Sequence, residues 1–330
     1  MAILTALDHG ELAAAAAAFG ITLVHASGQL AGSVNTLYVV DDDRGERWFF
    51  RVYEEQDEAG AARQARLLVA LGAAGVPTPI PRARADGGGF VGSVRGKPLS
   101  VFPRAAGRHR CQAGVSAHDA HRVGVELARM HRVGDRIDAD LTGESRFSID
   151  AIAARLSGLP PDLSAEVAAA RDLLGARVDD LRAWTPRARP LPLVHGDLFR
   201  DNVLFDEGGR VTLLDFESAS RGGAAFDLAV TLLAWCFGDA LDPRLAAAMV
   251  EGYLSVRALT ADEIADLAPS AQLACVRFAT TRITDYELRP PGACAYKDYR
   301  RWLARLATVE RLFGLREAPP DSTLRSVWPT

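Results

Sequence analysis

Short segments of alternating apolar and polar residues dominate the first hundred positions of the chain. Apolar runs on both sides of the polar sequence DDDRGE, residues 41–46, predict a β-hairpin. Two other stretches repeat their apolar residues with helical spacing. They predict a helix over residues 1–20 that ends at Gly20, and a second over residues 56–74 that ends before residues 75–77, Gly-Val-Pro.

Beyond Pro103 the spacing of apolar residues becomes mainly helical. Helices are predicted over residues 116–133, 149–158, 162–184 and 241–256, and from residue 261 to about residue 315. One compact block, residues 192–217, interrupts them with the pattern strand, loop, strand, turn, strand. We therefore predict an α+β protein with a β-rich N-terminal lobe over residues 1–102 and a larger, mostly helical C-terminal lobe over residues 103–330.

Composition narrows the class of protein. The chain has 330 residues, of which 48% are hydrophobic and 24% charged, the balance of a folded globular protein. A formal net charge of -4 argues against a nucleic-acid partner, because binding one requires the neutralisation of phosphates. No apolar run is long enough to span a membrane and the N-terminus lacks a basic segment, so we expect a cytoplasmic protein without a membrane partner. The four cysteines lack CxxC spacing, which favours buried free thiols over a disulfide or a zinc site.

The block at 192–217 carries the candidate chemistry. Asp197 lies in a polar loop before a short apolar strand, Asn202 follows five residues later, and Asp215 ends the next apolar strand. Such spacing would bring two carboxylates and an amide together at the ends of neighbouring strands. Oxygen ligands of this kind suit Mg²⁺, which takes one or two carboxylates together with substrate phosphates. The alternative is that Asp197 and Asp215 are ordinary turn and strand-end residues.

The sequences HGDLFRDN and DFE in this block resemble the catalytic segments of the aminoglycoside phosphotransferase/choline kinase family. The resemblance implies a protein-kinase-like bilobal fold and ATP as the phosphoryl donor. It implies that Asp197 accepts the proton of the acceptor hydroxyl, and that Asn202 and Asp215 bind Mg²⁺. His195 is expected to orient the loop backbone, and Asp227 either to cap a helix or to brace the loop.

In that family the N-terminal lobe holds the nucleotide. The glycine-containing sequence at 28–40 would place Gly32, Ser33 and Asn35 near the phosphates, although a plain hairpin turn fits it equally well. The next strand presents Arg51 where the family usually has lysine, and its permanent charge would still attract phosphate. The partner of Arg51 stays open between two residues of the following helix, Glu58 and Gln64.

The sequence GKPLSVFPRAAG, residues 96–107, resembles the family's hinge between the lobes. It implies that Leu99, Val101 and Phe102 lie near the adenine ring. An ordinary strand that runs into a proline turn would give the same pattern.

Three segments resemble the ThrB-type homoserine kinases of the same superfamily: the HGDLFRDNVLF loop, the glycine turn with the hinge, and residues 277–306. This resemblance implies a small amino-acid acceptor, L-homoserine, whose carboxylate would bind cations and whose ammonium would bind a carboxylate. The expected substrate-binding residues are Glu217, Arg277, Arg282, Asp285 and Lys297. Arg282, Asp285 and Tyr286 are expected to share one face of a helix.

Other functions stay open at this point. Residues 215–229 differ from the segment that usually follows the metal-binding aspartate in ThrB-type enzymes, so an aminoglycoside, macrolide, choline-like or protein hydroxyl remains an alternative acceptor. Because Arg51 stands where the family usually has lysine, and Gln64 where a glutamate partner is expected, a weakly active, nucleotide-binding pseudokinase also stays open. The expected partner is a small molecule, and the chain is expected to be a monomer or a homodimer.

Overall fold

The N-terminal hundred residues form a five-stranded antiparallel sheet in the computed structural model, which describes residues 5–29, 35–143, 145, 147–188, 190–290 and 296–315. Its strands, in the spatial order β1-β2-β3-β5-β4, are β1 (Leu23–Gln29), β2 (Thr36–Asp42), β3 (Arg47–Val52), β4 (Gly92–Val94) and β5 (Lys97–Pro103). Tyr38 pairs with Phe50, which pairs in turn with Val101 on β5, and all three side chains are buried. This register gives the sheet one apolar face, and the predicted hairpin is confirmed as β2 and β3.

Helix α1 (His9–Ala18) packs on that apolar face. Asp8 caps its first turn, where the Asp8 and Glu11 side chains each accept a hydrogen bond from the other residue's backbone. The helix therefore begins later than the sequence pattern predicts. It ends at the expected place, since Gly20 has a φ of 65°, which favours glycine.

Helix α2 (Glu58–Ala73) links the two lobes. Asp57 caps it, and its inner face carries Leu67, Leu68 and Leu71. These leucines belong to the apolar core of the helical lobe rather than to the core beneath the sheet. The predicted boundary between residues 102 and 103 falls at the end of β5 and stays a prediction.

The rest of the described chain is mostly helical, as predicted. Its helices are α3 (Ala117–Gly134), α4 (Ile149–Ser157), α5 (Ala165–Arg182), α6 (Ala224–Trp235), α7 (Pro243–Leu254), α8 (Ala261–Ala265), α9 (Leu267–Arg282) and α10 (Arg300–Phe313). The stretch predicted as helical from residue 261 onward is thus divided. Helix α9 continues into a π-helical turn, Ile283–Glu287, a local widening often found at functional sites.

The sequence analysis does not predict α6, although α6 lies at the centre of the helical lobe. Every residue of α6 except Phe226 is buried. A helix that is covered on all sides has no polar stripe, so its apolar residues show no helical period.

Two pairs of short strands frame the loop that contains Asp197. Strand β6 (Leu193–Val194) pairs with β9 (Ser220–Arg221), and β7 (Val203–Phe205) pairs with β8 (Val211–Leu213). This confirms the strand, loop, strand, turn, strand pattern. The loops before β7 and after β8 are thereby held side by side.

Two smaller expectations can be compared with the described residues. Cys236 and Cys275 are buried free thiols as expected, but Cys111 is an exposed one, and Cys294 lies outside the described residues. In the part of the chain that the structure describes, each helix is too short or too polar to cross a bilayer.

Candidate active site

Asp197, Asn202 and Asp215 come together where these short strands end. Asp197 and Asn202 lie in the loop between β6 and β7, and Asp215 follows β8. The Asn202 amide donates to the Asp197 carbonyl at 2.8 Å and lies 3.4 Å from the Asp197 carboxylate. The backbone N–H of Leu214 donates to the Asn202 carbonyl at 2.9 Å, which joins the two loops. The structure therefore brings together the three side chains that the sequence spacing singles out.

The buried carboxylate of Asp227 holds the start of the Asp197 loop. It accepts hydrogen bonds from the backbone N–H of His195 at 2.7 Å and of Gly196 at 2.8 Å. It lies in the first turn of α6, whose N-cap is Gly223. Of the two roles left open for Asp227, the brace is therefore the correct one.

A buried histidine orients the Asp227 carboxylate in turn. His131 Nε2 lies 3.0 Å from Asp227, and His131 Nδ1 lies 2.8 Å from the Tyr253 hydroxyl. Arg257 donates to that hydroxyl at 3.0 Å. A hydroxyl that accepts from Arg257 can donate to Nδ1, which leaves the proton of a neutral His131 on Nε2, facing Asp227.

His195 contacts backbone on both sides of the site. Its Nε2 lies 2.8 Å from the Leu214 carbonyl, and the Asp197 N–H donates to its Nδ1 at 3.3 Å. Burial lowers the pKa of His195, which keeps the ring neutral and compatible with both bonds. The expected role, orientation of the loop backbone, agrees with these contacts.

Two residues of the site have left-handed backbone conformations. Gly196 has a φ of 75°, and a Cβ there would lie 2.9 Å from the Ser218 carbonyl oxygen. Asp215 has a φ of 60° and a ψ of 68° without being glycine. Strained backbone of this kind persists where the surrounding structure imposes it, commonly at functional sites.

The electrostatic surroundings of Asp197 suit a proton acceptor. Burial raises the pKa of Asp197 to about 7, while the charge of Arg277 opposes this and the carboxylate of Asp215 adds to it. A carboxyl group with such a pKa can exchange a proton at neutral pH.

Arg51 joins the sheet to this cluster. Its Nη1 lies 3.4 Å from Asp215 Oδ1 and 3.3 Å from Glu217 Oε1. The side-chain amide of Asn35 also donates to Glu217. Arg51 and Asn35, both predicted to face the nucleotide phosphates, therefore both meet the C-terminal lobe at the Glu217 carboxylate.

These ion pairs correct the expectation for the partner of Arg51. Glu58 is exposed in the first turn of α2, and Gln64 is buried with neither side-chain polar atom paired among the described residues. The counter-ions of Arg51 come from the other lobe instead, which sequence register alone could not indicate.

A cavity of about 550 Å³ separates the sheet from the helical lobe. Leu37, Phe49 and Phe102 line it together with Arg51 and Asp215. Of the three predicted hinge residues only Phe102 faces this space, because the side chains of Leu99 and Val101 are buried in the core beneath the sheet. Gly32 and Ser33 lie outside the described residues.

A second cavity, of about 240 Å³, lies on the other side of Asp215, which lines both. Its walls contain Asp197 and all five predicted acceptor-binding residues: Glu217, Arg277, Arg282, Asp285 and Lys297. The sequence prediction thus selects residues that the fold collects from the segment after β8, from α9 and its π-helical turn, and from the segment before α10.

Arg277 links this second cavity to the Asp197 loop. Its buried guanidinium donates to the Gly196 carbonyl and lies 3.8 Å from the centre of the Phe147 ring and 4.5 Å from that of Phe278. Arg277 therefore supports the loop in addition to lining the cavity.

The other three predicted acceptor residues differ in their contacts. Arg282 donates to the Asp298 carbonyl at 2.9 Å, and Lys297 pairs with Asp201 at 3.4 Å. Arg282, Asp285 and Tyr286, which were expected to share a helical face, all line this cavity. Asp285 lies in the π-helical turn and pairs with Arg155 of α4 at 3.0 Å.

Arg155 and Phe147 are functional candidates that the sequence analysis missed. Both line the cavity that contains Asp197, and Arg155 extends over the Phe147 ring at 5.8 Å. They lie outside the motifs that carry the family resemblance, and the sequence signal for Arg155 was an arginine on the short amphipathic helix α4.

The oxygen atoms of Asn202 and Asp215 are suitable ligands for a hard divalent cation. Among the described residues, no three His, Cys, Asp or Glu side chains converge in a way that could hold a metal ion by themselves.

Comparison with known proteins gives this geometry its context. The family model described as the phosphotransferase enzyme family matches residues 28–265, more than half of the chain. The chain belongs to this phosphotransferase family. A homoserine kinase from Methylocella silvestris is 31% identical over 96% of this chain and 98% of its own length, and one from Sinorhizobium fredii is 32% identical over 93% and 94%.

Solved structures agree on the fold of this phosphotransferase. An amicoumacin kinase, in complex with AMP-PNP, Ca²⁺ and Ami, superposes with a TM-score of 0.73 at 16% identity over 98% of both chains. A microcompartment-associated aminopropanol kinase gives a TM-score of 0.68 at 20% identity, covering 93% of this chain and 97% of its own. The predicted kinase-like α+β bilobal fold is confirmed.

Proposed function

We propose that this phosphotransferase is a homoserine kinase, which transfers the γ-phosphoryl group of ATP to the side-chain hydroxyl of L-homoserine. The main support is the near-complete alignment with homoserine kinases at about 31% identity. The products are ADP and O-phospho-L-homoserine, and the hydroxyl proton passes to a base.

The charges of the smaller cavity support an amino-acid acceptor. Arg277, Arg282 and Lys297 line it together with Asp285 and Glu217. A zwitterion can satisfy charges of both signs, whereas a polycationic aminoglycoside needs a strongly acidic cleft. The volume of about 240 Å³ is also small for a bulky antibiotic.

The larger cavity has the properties of a nucleotide site. Phe102 and Phe49 supply apolar surface for a base, and Arg51 supplies a permanent positive charge for phosphate. We propose that Asn35 and the glycine-containing segment before it, with Gly32 and Ser33, contact the phosphates. Since Asp215 lines both cavities, a phosphoryl donor and an acceptor would meet beside it.

Asp197 is the proposed catalytic base. It lines the acceptor cavity, and the bonds that Asp227, His195 and Arg277 make to the loop keep its position fixed. With a pKa near 7 it can accept the hydroxyl proton as the new P–O bond forms and the bond to ADP breaks. Because the transition state of phosphoryl transfer is loose, this fixed position contributes more than basicity.

Asn202 and Asp215 would hold Mg²⁺. When bound, the ion supplies positive charge that neutralises the phosphate oxygens. Asn202 is pre-oriented by its bond to the Asp197 carbonyl, and Asp215 by its constrained backbone. Arg51, at 3.4 Å, balances part of the charge of Asp215.

The proposal is tested by comparing acceptors. Release of ADP is measured with homoserine, choline and kanamycin as acceptors and Mg·ATP as donor. We expect kcat/KM for homoserine to exceed that for the other two by at least about 100-fold, the discrimination that two lost charged contacts would give. A preference for choline or kanamycin would refute the acceptor, and absence of turnover with any acceptor would favour the pseudokinase.

A further inference from the structure

An arginine–aspartate pair lies inside the acceptor cavity, away from the Asp197 loop. Arg155 of α4 donates to Asp285 of the π-helical turn at 3.0 Å, and both residues line the cavity that Asp197 lines. The Thr284 hydroxyl donates to the same carboxylate oxygen at 2.7 Å and accepts from Arg155 at 3.1 Å. The two opposite charges are therefore held side by side at one wall of the site.

Four other cations line the cavity: Arg277, Arg282, Arg289 and Lys297. Arg289 is exposed, and Lys297 pairs with Asp201 at 3.4 Å in a pair that is more exposed, at 44% and 62%, than Arg155–Asp285. The remaining two are bound to backbone carbonyls. Arg277 donates to the Gly196 carbonyl, and Arg282 donates to the Asp298 carbonyl. Using either guanidinium fully for a substrate would break a bond that holds a loop in place. Arg155 instead bonds two side chains of one turn, and these can rotate without any change in the backbone.

The Arg155–Asp285 pair can exchange partners at low cost. Their side chains are 37% and 38% exposed, and ion pairs with this access to water contribute about 0–1 kcal/mol to stability. A zwitterion with a carboxylate and an ammonium on one carbon atom offers each partner a replacement of opposite charge. Both new bonds are charge-assisted, and they form where the cavity excludes part of the water.

We propose that Arg155 binds the α-carboxylate of the acceptor and that Asp285 binds its α-ammonium, which makes the pair the specificity determinant for an α-amino acid. This assignment rests on the proposed homoserine kinase function. Arg277 then acts chiefly on the loop, and Arg155, which the sequence analysis did not identify, recognises the substrate. Thr284 keeps the Asp285 carboxylate directed toward the cavity.

The test uses acceptors that lack one charge each. The compound 3-aminopropan-1-ol is homoserine without its carboxylate, and 4-hydroxybutanoate is homoserine without its ammonium. Each is measured as an acceptor and as a competitive inhibitor of homoserine phosphorylation, in the wild type and in Arg155→Gln and Asp285→Asn. Arg171→Gln and Asp172→Asn serve as controls, because this exposed pair on α5 lies outside the cavity.

We expect Arg155→Gln to raise KM for homoserine by about 10- to 100-fold and to leave the inhibition constant of 3-aminopropan-1-ol within about threefold of the wild type. Asp285→Asn should give the converse result: KM for homoserine rises, and the inhibition constant of 4-hydroxybutanoate changes little. Arg155→Lys, which keeps the charge, should recover part of the affinity. The control pair should match the wild type.

Each of the following outcomes would overturn the assignment. The pair is only structural if Arg155→Gln weakens homoserine and 3-aminopropan-1-ol equally, or if the variants lose thermal stability without a change in selectivity. If the wild type itself fails to phosphorylate homoserine, the proposed function falls and this assignment falls with it. A wild type that is active on homoserine, with variants of unchanged selectivity, overturns the assignment alone.

Discussion

Replacement of Asp227 by asparagine tests whether the Asp197 loop depends on a buried carboxylate. The carboxylate accepts three hydrogen bonds, from the N–H groups of His195 and Gly196 and from His131 Nε2. An amide of the same shape has one acceptor oxygen, and its NH₂ group must face at least one of these donors. The substitution therefore tests hydrogen bonding and charge with almost no change in volume.

The expected magnitude follows from these contacts. One or two donors would lose their acceptor in a fully buried site, and each unsatisfied group costs about 1–3 kcal/mol. The remaining hydrogen bonds also weaken, because a neutral amide oxygen is a poorer acceptor than a carboxylate, so we expect Asp227→Asn to lower the free energy of unfolding by about 3–5 kcal/mol. We also expect kcat to fall, because Asp197 follows directly on the two released backbone groups.

The pH dependence gives a second measure. Burial raises the pKa of Asp227, but the bonds from His131 and from the His195 backbone outweigh it, so the pKa lies below its ordinary value. A lowered pKa means that this carboxylate stabilises the fold above about pH 4 and that the stabilisation is lost as the pH falls further. Asp227→Asn should remove this part of the acid dependence.

The assay is urea unfolding of the wild type and Asp227→Asn between about pH 2.5 and about pH 7.5, together with kcat at the upper end, because the range must extend below about pH 4 to include the loss of this stabilisation. Asp172→Asn, on the exposed face of α5, is the control and should change stability by less than about 0.5 kcal/mol. A loss below about 1 kcal/mol for Asp227→Asn, with unchanged kcat, would refute the bracing role.

Three further predictions concern the same site. Asp197→Asn should lower kcat by about 10²- to 10⁴-fold with little change in ATP binding. The kcat/KM of the wild type should fall as the pH drops below about 7, where Asp197 becomes protonated. The pH-rate profiles of the wild type and of the variant measure the two effects. Arg51→Gln should raise KM for ATP about tenfold or more without a change for homoserine, and Arg51→Lys should raise it less, as shown by titrating each substrate. Gly196→Ala should lower the free energy of unfolding by about 1–2 kcal/mol, because a φ of 75° disfavours a Cβ, which would also lie too close to the Ser218 carbonyl oxygen. Gly175→Ala, which has open space around it, should not lower the free energy of unfolding.

The catalytic loop could be predicted because its functional residues lie close together in the sequence. Asp197, Asn202 and Asp215 lie within nineteen positions, and short strands with a glycine turn leave few ways to arrange them. The acceptor-binding set came from the resemblance to ThrB-type homoserine kinases rather than from spacing, and its members lie on several separate segments. The π-helical turn that contains Asp285, and its ion pair with Arg155 of α4, could not be predicted from regular helical spacing.

What could not be predicted depends on contacts between distant segments. The partner of Arg51 lies 164 residues away on the other lobe, and Arg155 meets Asp285 across 130 residues. Helix α6 has no helical period because it is covered on all sides, and the strand face of Leu99 and Val101 is set by pairing with β3. These contacts and orientations follow from tertiary packing, which the pattern of apolar residues and the spacing of motifs do not determine.

The central claim is that Asp197 delivers the side-chain oxygen of homoserine to the γ-phosphorus of ATP. Phosphorus-31 NMR of a reaction with Mg·ATP and L-homoserine tests it most directly. We predict a phosphate monoester on the side-chain oxygen, equal in amount to the ADP formed, and its loss in Asp197→Asn. ADP matched by inorganic phosphate, or the same ester at an undiminished rate in that variant, would contradict the claim.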